Sequence, residues 1–196
     1  MPGRRLFIAV PFPTEAESEI AALVERVRAD GVPGGGRDVR WVRLDSLHLT
    51  LRFLGPTLED SVARAAAATR TAAATRQPFD ISIGGAGAFP SAARPRALWL
   101  DVRAGEAQLA ALAEAVDRAL RHAGWELEAK PFRAHLTLAR ADGVPAGAAI
   151  GARLVAAAAD LDVGFRADRV GLYESLTGGG PARYEPIEVV ELGDPG

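Results

Sequence analysis

The sequence predicts an α+β fold: two pseudo-symmetric lobes, each a mostly antiparallel sheet with helices outside, facing one another across a central cleft. Strand-like and helix-like segments mix irregularly, without the even alternation that builds a doubly wound parallel sheet. The tetrapeptide HLTL occurs twice, at 48–51 and 135–138, in a chain with only three histidines. Each copy follows a similar run of strand, helix and strand, which points to a duplicated lobe. At 196 residues the chain suits one substantial domain better than two ordinary ones. Residues 1–196 therefore read as a single two-lobed domain.

The elements follow in order. LFIAV at 6–10 is a short buried strand, ended by Pro11 and Pro13. A helix starts at Thr14, which has capping-box spacing to Glu17, and carries Ile20, Leu23, Val24 and Val27 on one face. DGVPGGG at 30–36 is a loop. VRWVRL at 39–44 and LHLTLRFL at 47–54 are strands separated by a turn at Asp45 and Ser46, and Gly55-Pro56 ends the second. Thr57 with Asp60 opens an alanine-rich helix running to about Arg76. FDISI at 79–83 and RALWLDV at 96–102 are strands around a Gly/Pro loop. Residues 106–122 form an amphipathic helix with Leu109, Leu112, Val116 and Leu120 in register and Gly124 as its stop. After the second HLTL, 146–159 is helical, and the tail holds strands at 169–176 and 183–192 around TGGG.

Composition narrows the chemistry. Hydrophobic residues at 48% and charged residues at 24% are globular values. With no cysteine, disulfides and thiolate metal sites are excluded and no oxidising compartment is required. No apolar run approaches the roughly 20 residues of a membrane span, so the cytoplasm is the default location. A net charge of -2 argues against coating a long polyanion through an overall positive field. Positive charge instead gathers near the repeat: Arg37, Arg40, Arg43 and Arg52 around the first copy, Lys130, Arg133 and Arg140 around the second.

In a strand, alternate side chains share a face. His48, Thr50 and Arg52 then share one face while Leu49, Leu51 and Phe53 turn to the core; His135 and Thr137 likewise oppose Leu136 and Leu138. An imidazole beside a hydroxyl, delivered twice, suits acid-base attack on a phosphodiester. With a reference pKa of about 6.5, one imidazole can accept a proton while the other donates one. Threonine hydroxyls and arginine can hold the phosphate oxygens. Given 21 leucines and 8 threonines in 196 residues, Leu-Thr-Leu follows a given histidine by chance about once in two thousand. His122, at the end of a helix, lacks the pattern and reads as a surface residue. Zinc normally takes three or four ligands, and neither an HExxH pattern nor a cysteine is present, so no metal or other cofactor is expected. The glycine clusters lack the Lys-Ser/Thr ending of a phosphate loop and read as turns. Trp41, Phe132, Tyr173 and Tyr184 are assigned to the core ahead of the cleft.

RLFIAVPFP at 5–13, SLHLTLRFLG at 46–55, PFRAHLTLAR at 131–140 and LYESLTGGGPARY at 172–184 together resemble the two-histidine phosphoesterases. Within them, the chain is similar to the LigT-like RNA 2',3'-cyclic phosphodiesterases, also named 2'-5' RNA ligases. The resemblance implies a metal-independent enzyme that opens a terminal 2',3'-cyclic phosphate and leaves a 2'-phosphate. It implies His48 as proton donor, His135 as proton acceptor, and Thr50, Thr137 and Arg140 as phosphate-binding residues. Arg140 has the wrong parity for a regular strand, so that role requires a twist or an end near Ala139. Arg52, of matching parity, is a second phosphate-binding candidate. Ala134 stands where the family usually has proline. RNA ends or small cyclic-phosphate nucleotides are the expected partners, with no membrane, no protein partner evident and a monomer expected. The same cleft leaves open 2'-5' ligation, a small cyclic nucleotide as substrate, or a non-catalytic RNA-binding module.

Overall fold

A computed structural model of the protein describes residues 3–29, 39–141, 145–176 and 182–193. The elements run β1 (Arg4–Pro11), α1 (Thr14–Ala29), β2 (Arg40–Trp41), β3 (His48–Thr57), α2 (Glu59–Ala74), β4 (Phe79–Phe89), β5 (Ala97–Ala104), α3 (Glu106–His122), β6 (His135–Arg140), α4 (Pro145–Ala157), β7 (Val163–Ala167), β8 (Arg169–Leu176) and β9 (Arg183–Glu191). The main path of the sheet is β7-β4-β5-β6-β3-β1-β8-β9, with β2 added to β6. Every pairing among the described residues is antiparallel.

The strand order is a palindrome about the β3/β6 junction. β3, β1, β8 and β9 make one lobe; β6, β5, β4 and β7 make the other. The lobes join at a single register pair, Leu49 opposite Leu136. They are interleaved along the chain, because β4 belongs to the second lobe while β8 and β9 return to the first. The helices exchange too: α3 packs against β3 and α2, and α1 packs against α4 and β7.

This arrangement follows from which faces are apolar. Ile20, Leu23 and Val27 of α1 and Leu109, Leu112, Val116 and Leu120 of α3 are buried at helical spacing. They meet Ile8, Leu49, Leu100 and Leu136 from the sheet in one continuous core. Full burial of each such side chain is worth about 1.5–3 kcal/mol. The opposite face of the two central strands is left for polar groups.

Several boundaries move. The strand expected at 39–44 shrinks to β2, and Leu44–Ser46 forms a 3-10 turn closed by Leu47 N–H to Leu44 O at 3.1 Å. β3 does not stop at Gly55-Pro56: Gly55 takes a left-handed φ of 68°, and the strand continues to Thr57. The Thr57 hydroxyl donates to the Gly55 carbonyl at 3.2 Å and does not cap α2, whose N-cap position is Leu58. β4 runs on to Phe89, and β7 forms where the local pattern indicates no strand. The loops expected at 30–36 and 177–180 fall outside the described residues. None of the described helices is long and apolar enough to cross a membrane.

Candidate active site

The two HLTL segments lie side by side on the central strands. With Leu49 opposite Leu136, antiparallel counting sets His48 across from Thr137 and Thr50 across from His135. All four are half-buried, whereas Leu49, Leu51, Leu136 and Leu138 are buried on the helix side. The alternation expected from sequence thus holds through both threonines, and the structure brings the four residues together about one pseudo-dyad.

Immediately beyond each threonine the register slips. Ala9 faces Thr50 but Ile8 faces Arg52, so Leu51 is an extra residue in β3. Trp99 faces Thr137 but Leu98 faces Ala139, so Leu138 is the extra residue in β6. Each bulge reverses the parity of the residues beyond it. Arg140 is delivered to the cleft face, resolving the difficulty its position posed, and no carboxylate ion pair takes it up among the described residues. Its positive charge reaches His48, His135 and Tyr184.

The same slip corrects the expectation for Arg52. It faces Ile8 and pairs with Asp117 of α3, and it reaches the cavity beside Thr50 and His135 only as a guanidinium already held by that carboxylate. Arg52 Nε donates to Asp117 Oδ1 at 2.6 Å, Nη2 pairs with the second carboxylate oxygen, and Nη1 reaches the Glu128 carbonyl at 3.4 Å. A guanidinium already neutralised by a carboxylate has little charge to offer a phosphate. Phe53 is corrected in the opposite sense. It faces Phe7, with ring centroids 6.0 Å apart, and is 65% exposed.

Both imidazoles are held alike. His48 Nδ1 lies 2.8 Å from the Ser46 carbonyl, and His135 Nδ1 lies 2.8 Å from the Arg133 carbonyl. A carbonyl only accepts, so each Nδ1 carries the proton and each neutral ring keeps its lone pair on Nε2. Aromatic rings frame both. His48 packs on Phe7 at 4.8 Å and edge-on to Tyr184 at 4.9 Å; His135 lies edge-on to Phe89 at 5.0 Å and to Trp99 at 6.2 Å.

Burial is the main reason both histidines sit below their ordinary proton affinity. At His48 the Ser46 carbonyl opposes this, and the charges of His135 and Arg140 add to it. At His135 the Arg133 carbonyl opposes it, Arg140 and Arg133 add to it, and Asp101 favours the cation. Burial raises the Tyr184 phenol, which keeps its O–H as a donor. Beside Thr50 and His135 opens a cavity of about 680 Å³ whose wall includes Phe53, Phe89, Phe132 and Arg133.

Sequence reasoning placed Phe53 in the core, put the core ahead of the cleft for Tyr184, counted Arg133 only among the positive charges near the second motif, and singled out neither Phe89 nor Trp99. Arg133 did carry a signal, standing two residues before a motif histidine. His122 lies exposed in the last turn of α3, as expected.

The chain is thus an antiparallel sheet of two interleaved lobes that carries a His-x-Thr triplet on each central strand. The chain belongs to the 2'-5' RNA ligase superfamily, whose family model matches residues 9–179. A protein of Archaeoglobus fulgidus named RNA 2',3'-cyclic phosphodiesterase is 37% identical over 136 residues, covering 69% of this chain and 72% of that one. One of the same name from Methanothermobacter thermautotrophicus is 31% identical over 190 residues, covering 96% and 98%. Among solved structures, E. coli LigT complexed with 3'-AMP superposes with a TM-score of 0.72 at 27% identity, covering 99% of this chain and 100% of that one. TT0787 of Thermus thermophilus gives 0.70 at 28%, covering 96% and 98%.

Proposed function

We propose that the protein is a metal-independent RNA 2',3'-cyclic 3'-phosphodiesterase that leaves a 2'-phosphate. One observation carries this reading: two imidazoles, each anchored through Nδ1 to a backbone carbonyl, present Nε2 beside paired threonines about one pseudo-dyad. His135 Nε2 takes a proton from water as its oxygen bonds to phosphorus. His48, protonated on Nε2, gives its proton to the 3' oxygen as that P–O bond breaks. The like charges of the two rings oppose each other, which suits a pair sharing one proton. Positioned proton transfer of this kind contributes roughly 10²- to 10⁴-fold in rate. Thr50 and Thr137 donate to the non-bridging oxygens, and Arg140 balances their charge.

The nucleoside belongs in the cavity beside His135 and Thr50, against Phe53. An exposed aromatic ring offers a stacking face for any base. The direct experiment is incubation with RNA ending in a 2',3'-cyclic phosphate, with and without chelator, and identification of the product. A 2'-phosphate formed at equal rates in both arms is expected. A 3'-phosphate, or activity abolished by chelator, overturns the reading. Adding an RNA with a 5' hydroxyl measures 2'-5' ligation at the same site, and a cyclic mononucleotide measures how much of the affinity needs a longer chain.

A further inference from the structure

The two imidazoles have equivalent backbone anchors, but what holds each anchor differs. Ser46, which supplies the carbonyl to His48, uses its hydroxyl on Asp45 at 3.1 Å. Arg133, which supplies the carbonyl to His135, lays its guanidinium over Trp99 at 4.6 Å and over Phe89 at 5.1 Å. Those rings are the ones flanking His135. They are braced against each other at 5.0 Å, and a Cβ at Gly87 would overlap the indole that sits there. Backbone and side chain of Arg133 are therefore held by one aromatic pair, and no carboxylate ion pair draws the side chain away among the described residues.

We propose that Arg133 is a positioning residue that fixes His135 as the neutral, Nδ1-protonated imidazole with Nε2 free to accept a proton. The proposal rests on His135 being the acceptor in the reaction above. Its carbonyl orients the ring and selects the tautomer, while its cation opposes charging of the ring. The other charged groups facing His135 are Arg140 from its own strand, Asp101 from the neighbouring β5 and His48 from β3 across the dyad. Arg133 is the one whose charge and anchoring carbonyl act on His135 from a single residue.

Arg133 is exposed, so replacing it leaves the core intact. The test is NMR titration of the three histidines in the free protein, for wild type, Arg133→Met and Arg133→Lys. In Arg133→Met the His135 titration moves to higher pH and its Nδ1–H tautomer is less populated. Arg133→Lys, which keeps the charge without the planar stack, restores the midpoint but only part of the tautomer preference. On cyclic-phosphate RNA, Arg133→Met lowers kcat about 10- to 100-fold, the scale of a misplaced reacting group. Two results overturn the proposal: a His135 titration in Arg133→Met identical to wild type, or a rise in KM alone, which would make Arg133 a substrate contact. A wild-type protein inactive on cyclic-phosphate RNA would refute the proposed reaction, while the titrations still judge the positioning role.

Discussion

Phe53 and Arg140 occupy equivalent places on the two sides of the pseudo-dyad. Each stands third after its motif threonine, past a one-residue bulge, and each turns toward the cleft. The backbone device is therefore duplicated while its cargo differs. One side carries an aromatic ring, the other a cation with no carboxylate ion pair among the described residues. The histidine pair thereby has one aromatic flank and one cationic flank, and under the proposed reaction this asymmetry is expected to set the direction in which a nucleotide lies.

From this asymmetry, Phe53→Ala should weaken substrate binding by about 1–3 kcal/mol, the usual worth of one base on an aromatic platform. The ring is 65% exposed, so thermal stability should change little. Measured KM and melting temperature decide the matter: a large stability loss with unchanged KM would return Phe53 to a packing role.

Arg140 and Arg52 should separate cleanly. Arg140→Gln removes a charge-assisted contact worth about 1.5–3 kcal/mol, lowering kcat/KM by roughly 10- to 100-fold with stability near wild type. Arg52→Gln leaves Asp117, only 14% exposed, without its principal partner, at a cost of about 1–3 kcal/mol in stability. Denaturant unfolding and steady-state kinetics on both variants test this. If Arg52→Gln loses activity without losing stability, its assignment to the helix side is wrong.

His48→Ala and His135→Ala should each cost about 10²- to 10⁴-fold in kcat, and the double variant much less than the product of the two losses, because the rings act as one proton-transfer unit. Single-turnover rates on a cyclic-phosphate oligonucleotide measure all three. Retention of wild-type turnover in either single variant would remove the acid-base pair.

The legible part of the site ends at the threonines. Up to Thr50 and Thr137 the period-two rule holds, because His-Leu-Thr packs a leucine into the core and frees its neighbours. Beyond them the rule inverts at Leu51 and Leu138, and nothing in Leu-Arg-Phe or Leu-Ala-Arg marks an inserted residue. That is why Arg52 and Phe53 exchange faces relative to expectation. Arg140, expected from family resemblance against its parity, gets a physical explanation only in three dimensions. The fold class was similarly readable from local pattern, but the return of β8 and β9 to the first lobe is a long-range pairing without a local signature. Tyr184 reaches His48 through that return, so its place beside the imidazole could not be read from segments.

The pH dependence follows from burial. Both imidazoles hold protons less tightly than the ordinary value of about 6.5. In the free enzyme the acid limb of kcat/KM reports protonation of the acceptor and the alkaline limb reports deprotonation of the donor. With both affinities lowered, both limbs move down and the maximum of kcat/KM falls on the acid side of about 6.5. A bound phosphodiester carries negative charge that favours the imidazolium, so the kcat profile should lie at higher pH than the kcat/KM profile. Stability follows with a defined sign. Because the folded-state affinities are the lower ones, the unfolded chain takes up protons first on acidification. The stabilisation is complete above about pH 6.5 and is lost as pH falls through the folded-state values. Melting temperatures measured from pH 7.5 to pH 5 should decline in wild type and decline less in a His48→Asn, His135→Asn variant. A kcat/KM maximum well above neutrality, or equal declines in the two proteins, would show that the imidazoles are not desolvated in the folded state.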